Sequence, residues 1–111
     1  MRRNSYTGKY KLTKNRYLHA YYYALLYNEW KDQYNTGLLH QEECEQLRKK
    51  IEMIEQTAIE ADGDIYQYIL KAVTNAGITY NYLKTVMNIP CGKDMYYNRR
   101  RKFYWLLAQK I

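Results

Sequence analysis

The chain is poor in most of the residues that build catalytic, metal-bound or cross-linked proteins. Its 111 residues include two cysteines, two histidines, one proline and five glycines. Cys44 and Cys91 stand far apart with no Cys-x-x-Cys pair, and His19 and His40 have no acid or cysteine partner at ligand spacing. This argues against a disulfide framework or a structural zinc site and predicts a reduced cytoplasmic protein without a metal. No stretch approaches the roughly 18 apolar residues of a membrane span. No apolar segment follows Arg2 and Arg3 as it does in an export signal, so a soluble, unexported chain with no membrane partner is expected. There is no phosphate-cradling glycine loop, no paired-carboxylate motif and no metal-ligand cluster. The tyrosines and arginines lack the several spaced Arg and His groups that a nucleophilic-tyrosine recombinase sets around one Tyr. No catalytic residue and no cofactor are therefore expected.

Tyrosine is abundant, with 15 of the 18 aromatic residues. The apolar fraction of 47% thus includes many hydroxyl-bearing rings, and the aliphatic core is modest for a single domain. Net charge is +7, but its distribution says more. Residues 1–27 sum to +6, residues 28–62 to −5 and residues 63–111 to +6. Basic ends around an acidic middle point to a polyanion met by the ends. The run Arg99, Arg100, Arg101, Lys102 strengthens this, because adjacent cations repel unless an anionic surface is near.

Periodicity predicts an all-α fold. Residues 1–12 are polar, basic and patternless, and read as a flexible arm. Thr13 is a suitable N-cap for a helix carrying Leu18, Tyr21, Tyr22, Leu25 and Leu26 at helical spacings, ending at Asn35-Thr36-Gly37. A second helix to Ala61 repeats Leu47, Ile51, Ile54, Ala58 and Ala61 as a heptad-like stripe, short enough to pack within the chain. These two helices are expected to form a hairpin over residues 13–61, for dimerisation or partner contact, with most of its glutamates in water. Tyr21, Tyr22 and Tyr23 cover three directions of the first helix, one inward and two on its flanks. Trp30 and Trp105 are expected as core anchors.

Asp62-Gly63-Asp64 breaks the pattern and caps a third helix with Ile65, Ile69 and Val73 on one face. After Asn75-Ala76-Gly77 comes a short segment from Thr79 to Met87, with Leu83, Val86 and Met87 turned inward. Asn88-Ile89-Pro90-Cys91-Gly92 is a turn, and a last helix from Lys93 aligns Tyr96, Phe103, Leu106 and Leu107. Cys91 lies beside the basic helix, where cations could lower its thiol pKa.

Helix, glycine break, short helix, tight turn and basic helix is the order of a helix-turn-helix, here residues 62–111. In that arrangement the short helix aims its start, with Thr79 and Tyr80, at phosphates, and the last helix reads the major groove. An inner stripe of Tyr96, Phe103 and Leu107 places Lys93, Asp94, Tyr97, Asn98, Arg100 and Arg101 outward. Asn and Arg suit bidentate contacts to adenine and guanine, and Lys102 suits a phosphate.

The segment GITYNYLKTVMNIPCGKDMYYNRRRKFYWLL also resembles the fourth region of sigma factors, whose characteristic run is GLSYEEIAEILGIPVGTV. Gly77, Ile78, Thr79, Tyr80, Leu83, Val86, Met87, Ile89, Pro90 and Gly92 fall on matching positions. The Tyr- and Arg-rich final helix is similar to the ArpU and RinA type transcriptional regulators of phages and prophages. This resemblance covers about 30 C-terminal residues and implies a phage-type regulator that binds duplex DNA in the host cytoplasm. Asp94 departs from the pattern, which is apolar there, and allows the last helix to start one residue later. The acidic hairpin would then contact RNA polymerase or another host or phage protein, or pair two copies as a homodimer. The competing expectation is a small phage interaction protein that uses the sigma-like module to bind a host protein, with single-strand or RNA binding by exposed tyrosines a weaker third.

Overall fold

The computed structural model describes residues 9–111, and every regular element among them is a helix. In order these are α1 (Lys14–Leu25), α2 (Tyr27–Asn35), α3 (Gln41–Ala61), α4 (Tyr66–Val73), α5 (Tyr80–Thr85) and α6 (Lys93–Lys110). The fold is all-α, as the periodicity predicts. Residues 1–8, with Arg2 and Arg3 of the expected arm, lie outside the described residues. Residues 10 and 12 of that arm are seated on the protein: Leu12 is buried and Tyr10 half-buried.

Thr13 opens α1 as expected, its hydroxyl accepting from the Arg16 amide at 3.2 Å. The single helix expected up to Asn35 is instead interrupted at Leu26. There the amide tightens onto the Tyr23 carbonyl at 3.2 Å before Trp30 donates to Leu26 at 3.0 Å. The break follows from packing. Ala20 and Ala24 serve α1, which lies on α6 and α4, whereas Tyr27 and Trp30 serve α2, which lies on α3. One straight stripe could not face both. The antiparallel partner of α3 is thus α2 alone, joined to it by the Tyr27 hydroxyl donating to Glu55 at 2.5 Å.

The heptad-like stripe of α3 is used inside the chain. Ile51, Ile54, Ala58 and Ala61 are buried and Leu47 is half-buried. Thr57 joins them, donating to the Met53 carbonyl at 2.6 Å and accepting from Lys110 Nζ at 2.8 Å. Ile65, Ile69 and Val73 are buried on α4 as expected. The side-chain amide of Asn28 on α2 donates to the Thr74 carbonyl at 3.1 Å and so fixes the end of α4.

Two apolar clusters result. The larger runs from Leu12 through α1 to α4 and into α6 at Phe103, Tyr104, Leu107 and Ala108. The smaller joins Ala72 of α4, Leu83 of α5, Ile89 of the turn and Tyr96 of α6. Helix α6 belongs to both. Val86 is not turned inward with Leu83 and Met87 but is 59% exposed, because α5 ends at Thr85 and presents only one residue, Leu83, fully to the cluster.

Truncating Leu107, fully buried where α6 meets the larger cluster, removes packing that no polar group can replace. Leu107→Ala is expected to lower unfolding stability by about 2–5 kcal/mol, read as a shifted urea midpoint. An unchanged midpoint would show that α6 is dispensable to the core.

Candidate functional site

The C-terminal end of α3 is joined to α6 at Asp62. Its Oδ1 accepts from the amides of Asp64 at 2.8 Å and Ile65 at 3.2 Å, closing the turn that leads from α3 to α4, whose own N-cap, Ile65, has no side-chain cap. Its Oδ2 accepts from Arg99 Nε at 2.9 Å. Burial by itself would raise this carboxyl pKa, but the Asp64 amide, Arg99 and the Ile65 amide outweigh it and hold the group below its ordinary value. Arg99 also donates to Asn98 Oδ1 at 2.7 Å, which orients that amide.

The segment between α4 and α6 is built by its caps. Gly77 has φ +83, a left-handed conformation that glycine accepts without strain, and it turns the chain out of α4. The Thr79 hydroxyl accepts from the Tyr82 amide at 3.1 Å and opens α5 as expected. Asn88, at φ 57, reverses the chain after α5, and the Ile89 amide donates back to the Leu83 carbonyl at 3.0 Å. The Tyr80 hydroxyl spans the turn to the Cys91 carbonyl at 2.7 Å. Thr79 and Tyr80 therefore brace the turn, and the Tyr80 hydroxyl already has its partner. Gly92 then caps α6, which starts at Lys93 without the one-residue delay that Asp94 allowed.

Helix α6 distributes the remaining candidate residues around its axis at about 100° per residue. Tyr96, Phe103, Tyr104, Leu107 and Ala108 are buried. Tyr104 and Ala108 were not on the expected stripe, and Leu106, which was, is half-buried. Adding Tyr104 rotates the inner face and brings Arg100 onto it, one turn after Tyr96. Arg100 is thus not outward as its sequence position predicts. Its guanidinium lies 5.9 Å from the Tyr97 ring and 5.8 Å from the Tyr104 ring, a cation–π arrangement. Tyr97 sits half-buried against Tyr96 at 4.9 Å between centroids. The Tyr96 and Tyr104 hydroxyls are buried beside the Arg100 guanidinium and meet no well-formed hydrogen-bond partner among the described residues. Burial pushes the Tyr96 phenol up to about 12 and raises the Tyr104 phenol as well, Arg100 opposing both, so each is neutral at physiological pH.

Asp94, Asn98, Arg101, Lys102 and Trp105 lie on the opposite side of α6. Asp94 is exposed and the other four are half-buried. Lys93 is exposed at the helix start and Lys84 at the end of α5. This stripe brings together Asp94, Asn98, Arg101 and Lys102 of the expected set and leaves out Tyr97 and Arg100; Lys93, in the first turn, falls in line with those two. Trp105 is half-buried and packs against the edge of the larger cluster rather than inside it. It sits on the outer side with the Tyr10 ring 5.9 Å away, whereas Trp30 does take its expected core place.

Cys91 is half-buried in the turn, and its thiol pKa is raised by burial and by Asp62 rather than lowered by neighbouring cations. Of the three consecutive tyrosines, Tyr22 is 61% exposed and Tyr21 and Tyr23 are half-buried. Among the described residues no group of three His, Cys, Asp or Glu is placed to hold a metal ion, and no helix is long and apolar enough to cross a membrane. No protein-family model, curated protein or solved structure matches the chain.

The Asp62–Arg99 pair generates a pH dependence with a definite sign. A carboxyl held below its unfolded value contributes stability that is present above about pH 4 and is lost as pH falls through the folded value. Asp62→Asn keeps an amide-accepting oxygen but removes the charge. It should be less stable than wild type at pH 7, and the difference should begin to narrow near pH 4 and close as pH falls through the lower folded value. Thermal unfolding across pH reads this, and a gap that persists at acid pH would refute the ionic origin.

Proposed function

We propose that the chain is a duplex-DNA-binding transcription regulator of phage type, with α5 as the bracing helix and α6 as the reading helix of a helix-turn-helix. The observation that carries this is the outer stripe of α6. Asn98, Arg101 and Lys102 share one side of a helix whose other side is fixed into both apolar clusters. A reading helix needs a rigid inner face and polar, cationic side chains aimed away from it. Helix α6 is about 10–12 Å across with its side chains, and the major groove of B-DNA is about 12 Å wide. In this reading Asn98 and Arg101 contact base edges, and Lys93, Lys102 and Lys84 hold phosphates. Arg100 acts inside, keeping α6 seated on its tyrosines. The resemblance of residues 77–107 to the sigma region and to the ArpU and RinA type regulators supports the same assignment and implies control of phage genes.

A second reading is favoured by one observation. Glu42, Glu43, Glu45 and Glu52 are exposed along α3, and Leu38, just before that helix, is 87% exposed. Such an acidic side with an apolar edge suits a protein partner, such as RNA polymerase, or a second copy. A pull-down from host lysate with and without nuclease separates the readings, since a partner held by protein contacts survives the nuclease.

Arg101→Ala should cost about 1–3 kcal/mol of specific duplex binding. Combined with Lys102→Ala, which removes one phosphate contact, it should also reduce the slope of log affinity against log salt by about 0.9. Both side chains lie outside the core, so circular dichroism should stay unchanged. A folded double variant that binds a selected duplex as tightly as wild type would sink the assignment. Replacing Arg100 is a poor substitute for this test, because it disturbs the packing of Tyr97 and Tyr104.

A further inference from the structure

The basic N-terminal segment and the outer stripe of α6 are far apart in sequence but adjacent in the fold. Tyr10 packs against Trp105 with ring centroids 5.9 Å apart and planes tilted by 54°. Two residues later, Leu12 is buried in the larger cluster, and Thr13 caps α1. Over residues 9–13 exposure alternates: Lys9, Lys11 and Thr13 are exposed, whereas Tyr10 and Leu12 face the protein. Two anchors of opposite orientation to two lysines make this a seated strap. Lys9 Nζ lies 5.4 Å from the Tyr10 ring centroid, so its charge stays beside the Tyr10–Trp105 contact.

Trp105 is one turn beyond Arg101 on the same side of α6, and a helical side chain leans toward the N-terminus, here over the turn that carries Arg101 and Lys102. The one carboxylate on that side of α6 is Asp94, in the first turn and almost two turns before Arg101. Residues 1–28 and 95–111 contain no Asp or Glu. From Asn98 to Trp105 the helix advances about 10 Å, close to the width of the major groove. A helix entering the groove at Asn98 therefore carries Trp105 to its rim, where the phosphate backbone runs.

We propose that Lys9 and Lys11 form a phosphodiester-binding site continuous with Arg101 and Lys102, held in place by Tyr10 seated on Trp105. Tyr10 is a positioning residue, and the two lysines are the contacting groups. The proposal rests on the duplex-binding reading of α6 and adds to it a contact that sequence proximity does not contain. Lysine, a compact point charge, suits a phosphate oxygen rather than a base edge.

Fluorescence anisotropy of a labelled duplex, measured from low to high salt, tests it with the full chain. Lys9→Ala with Lys11→Ala should make the salt slope shallower by about 1.8 and weaken binding at low salt most. Tyr10→Ala, which keeps both charges, should shift the slope in the same direction, and Tyr10→Phe, which keeps the ring contact, should restore it. Wild-type slope in the double lysine variant, with duplex binding otherwise intact and still sensitive to Arg101→Ala, overturns the strap alone. A Tyr10→Ala slope equal to wild type, alongside an effect of the lysines, removes the positioning role and overturns the proposal as stated. Absence of duplex binding by the wild-type chain overturns both the strap and the reading of α6 on which it rests.

Discussion

The whole fold depends on α6 serving as a wall of both apolar clusters. Phe103, Tyr104, Leu107 and Ala108 close the larger cluster and Tyr96 closes the smaller. A helix held over most of its length by burial on one side has little freedom to roll. That rigidity decides the other side, because each residue's direction follows from its distance in sequence to the buried stripe. Helix α5 has no comparable hold. It has six residues, one of them fully buried, and depends on the Thr79 cap, the Ile89 amide and the Tyr80 hydroxyl to keep its place. An isolated helix of that length would not form in water.

The same constraint resolves the four consecutive cations. On a helix, neighbours in sequence point in different directions, and Arg99, Arg100, Arg101 and Lys102 do not make one patch. Arg99 reaches Asp62, where a carboxylate already fixed by two amides receives it. Arg100 lies over tyrosine rings, whose faces accept a cation without a carboxylate. Arg101 and Lys102 fall on the outer stripe. Local charge density read from the sequence is therefore a poor guide to surface charge. Half of that run serves the packing of α6, and half faces away from it.

Element boundaries were legible where a chemical signal sat at the end of the helix. Thr13, Thr79, Gly77 and the Asp62-Gly63-Asp64 break each marked a terminus that the structure contains. The stripes of α3 and α4 were legible because Ile, Leu and Ala there alternate with charged residues. The break at Leu26 carried no glycine or proline and arises from two helices choosing different neighbours, which is tertiary information. The face of α6 was misjudged for a related reason. Tyr104 has a polar tip and Arg100 a charge, so hydropathy assigns both outward, yet a phenol and a guanidinium can share a buried site through the ring. Trp105 does pack against the larger cluster, at its edge, but nothing in its own neighbourhood reveals that Tyr10 lies beside it. The candidate stripe of Asn98, Arg101 and Lys102 was visible as residue types, but its separation from Arg100 required the position of Tyr104.

The acidic middle segment gains its meaning from where α3 lies. It packs on the inner flank of α6, and its last carboxylates engage the cations on that flank: Glu60 with Lys110 at 3.0 Å and Asp62 with Arg99 at 2.9 Å. Further along α3, Glu45 and Glu52 engage Arg48 of the same helix at 2.7 and 2.8 Å. Acidic charge is thus matched to the cations beside it on the side of α6 that faces the protein. The basic start of the chain meets α6 on the other side, through Tyr10. Among the described residues, the basic segment from Lys9 to Thr13 lies on one side of α6 and the acidic end of α3 on the other. Such separation gives the domain a charge asymmetry across α6, with the carboxylates of α3 on one side and Lys9 and Lys11 on the other. Net charge alone contains no such asymmetry; the packing of both α1 and α3 on α6 supplies it.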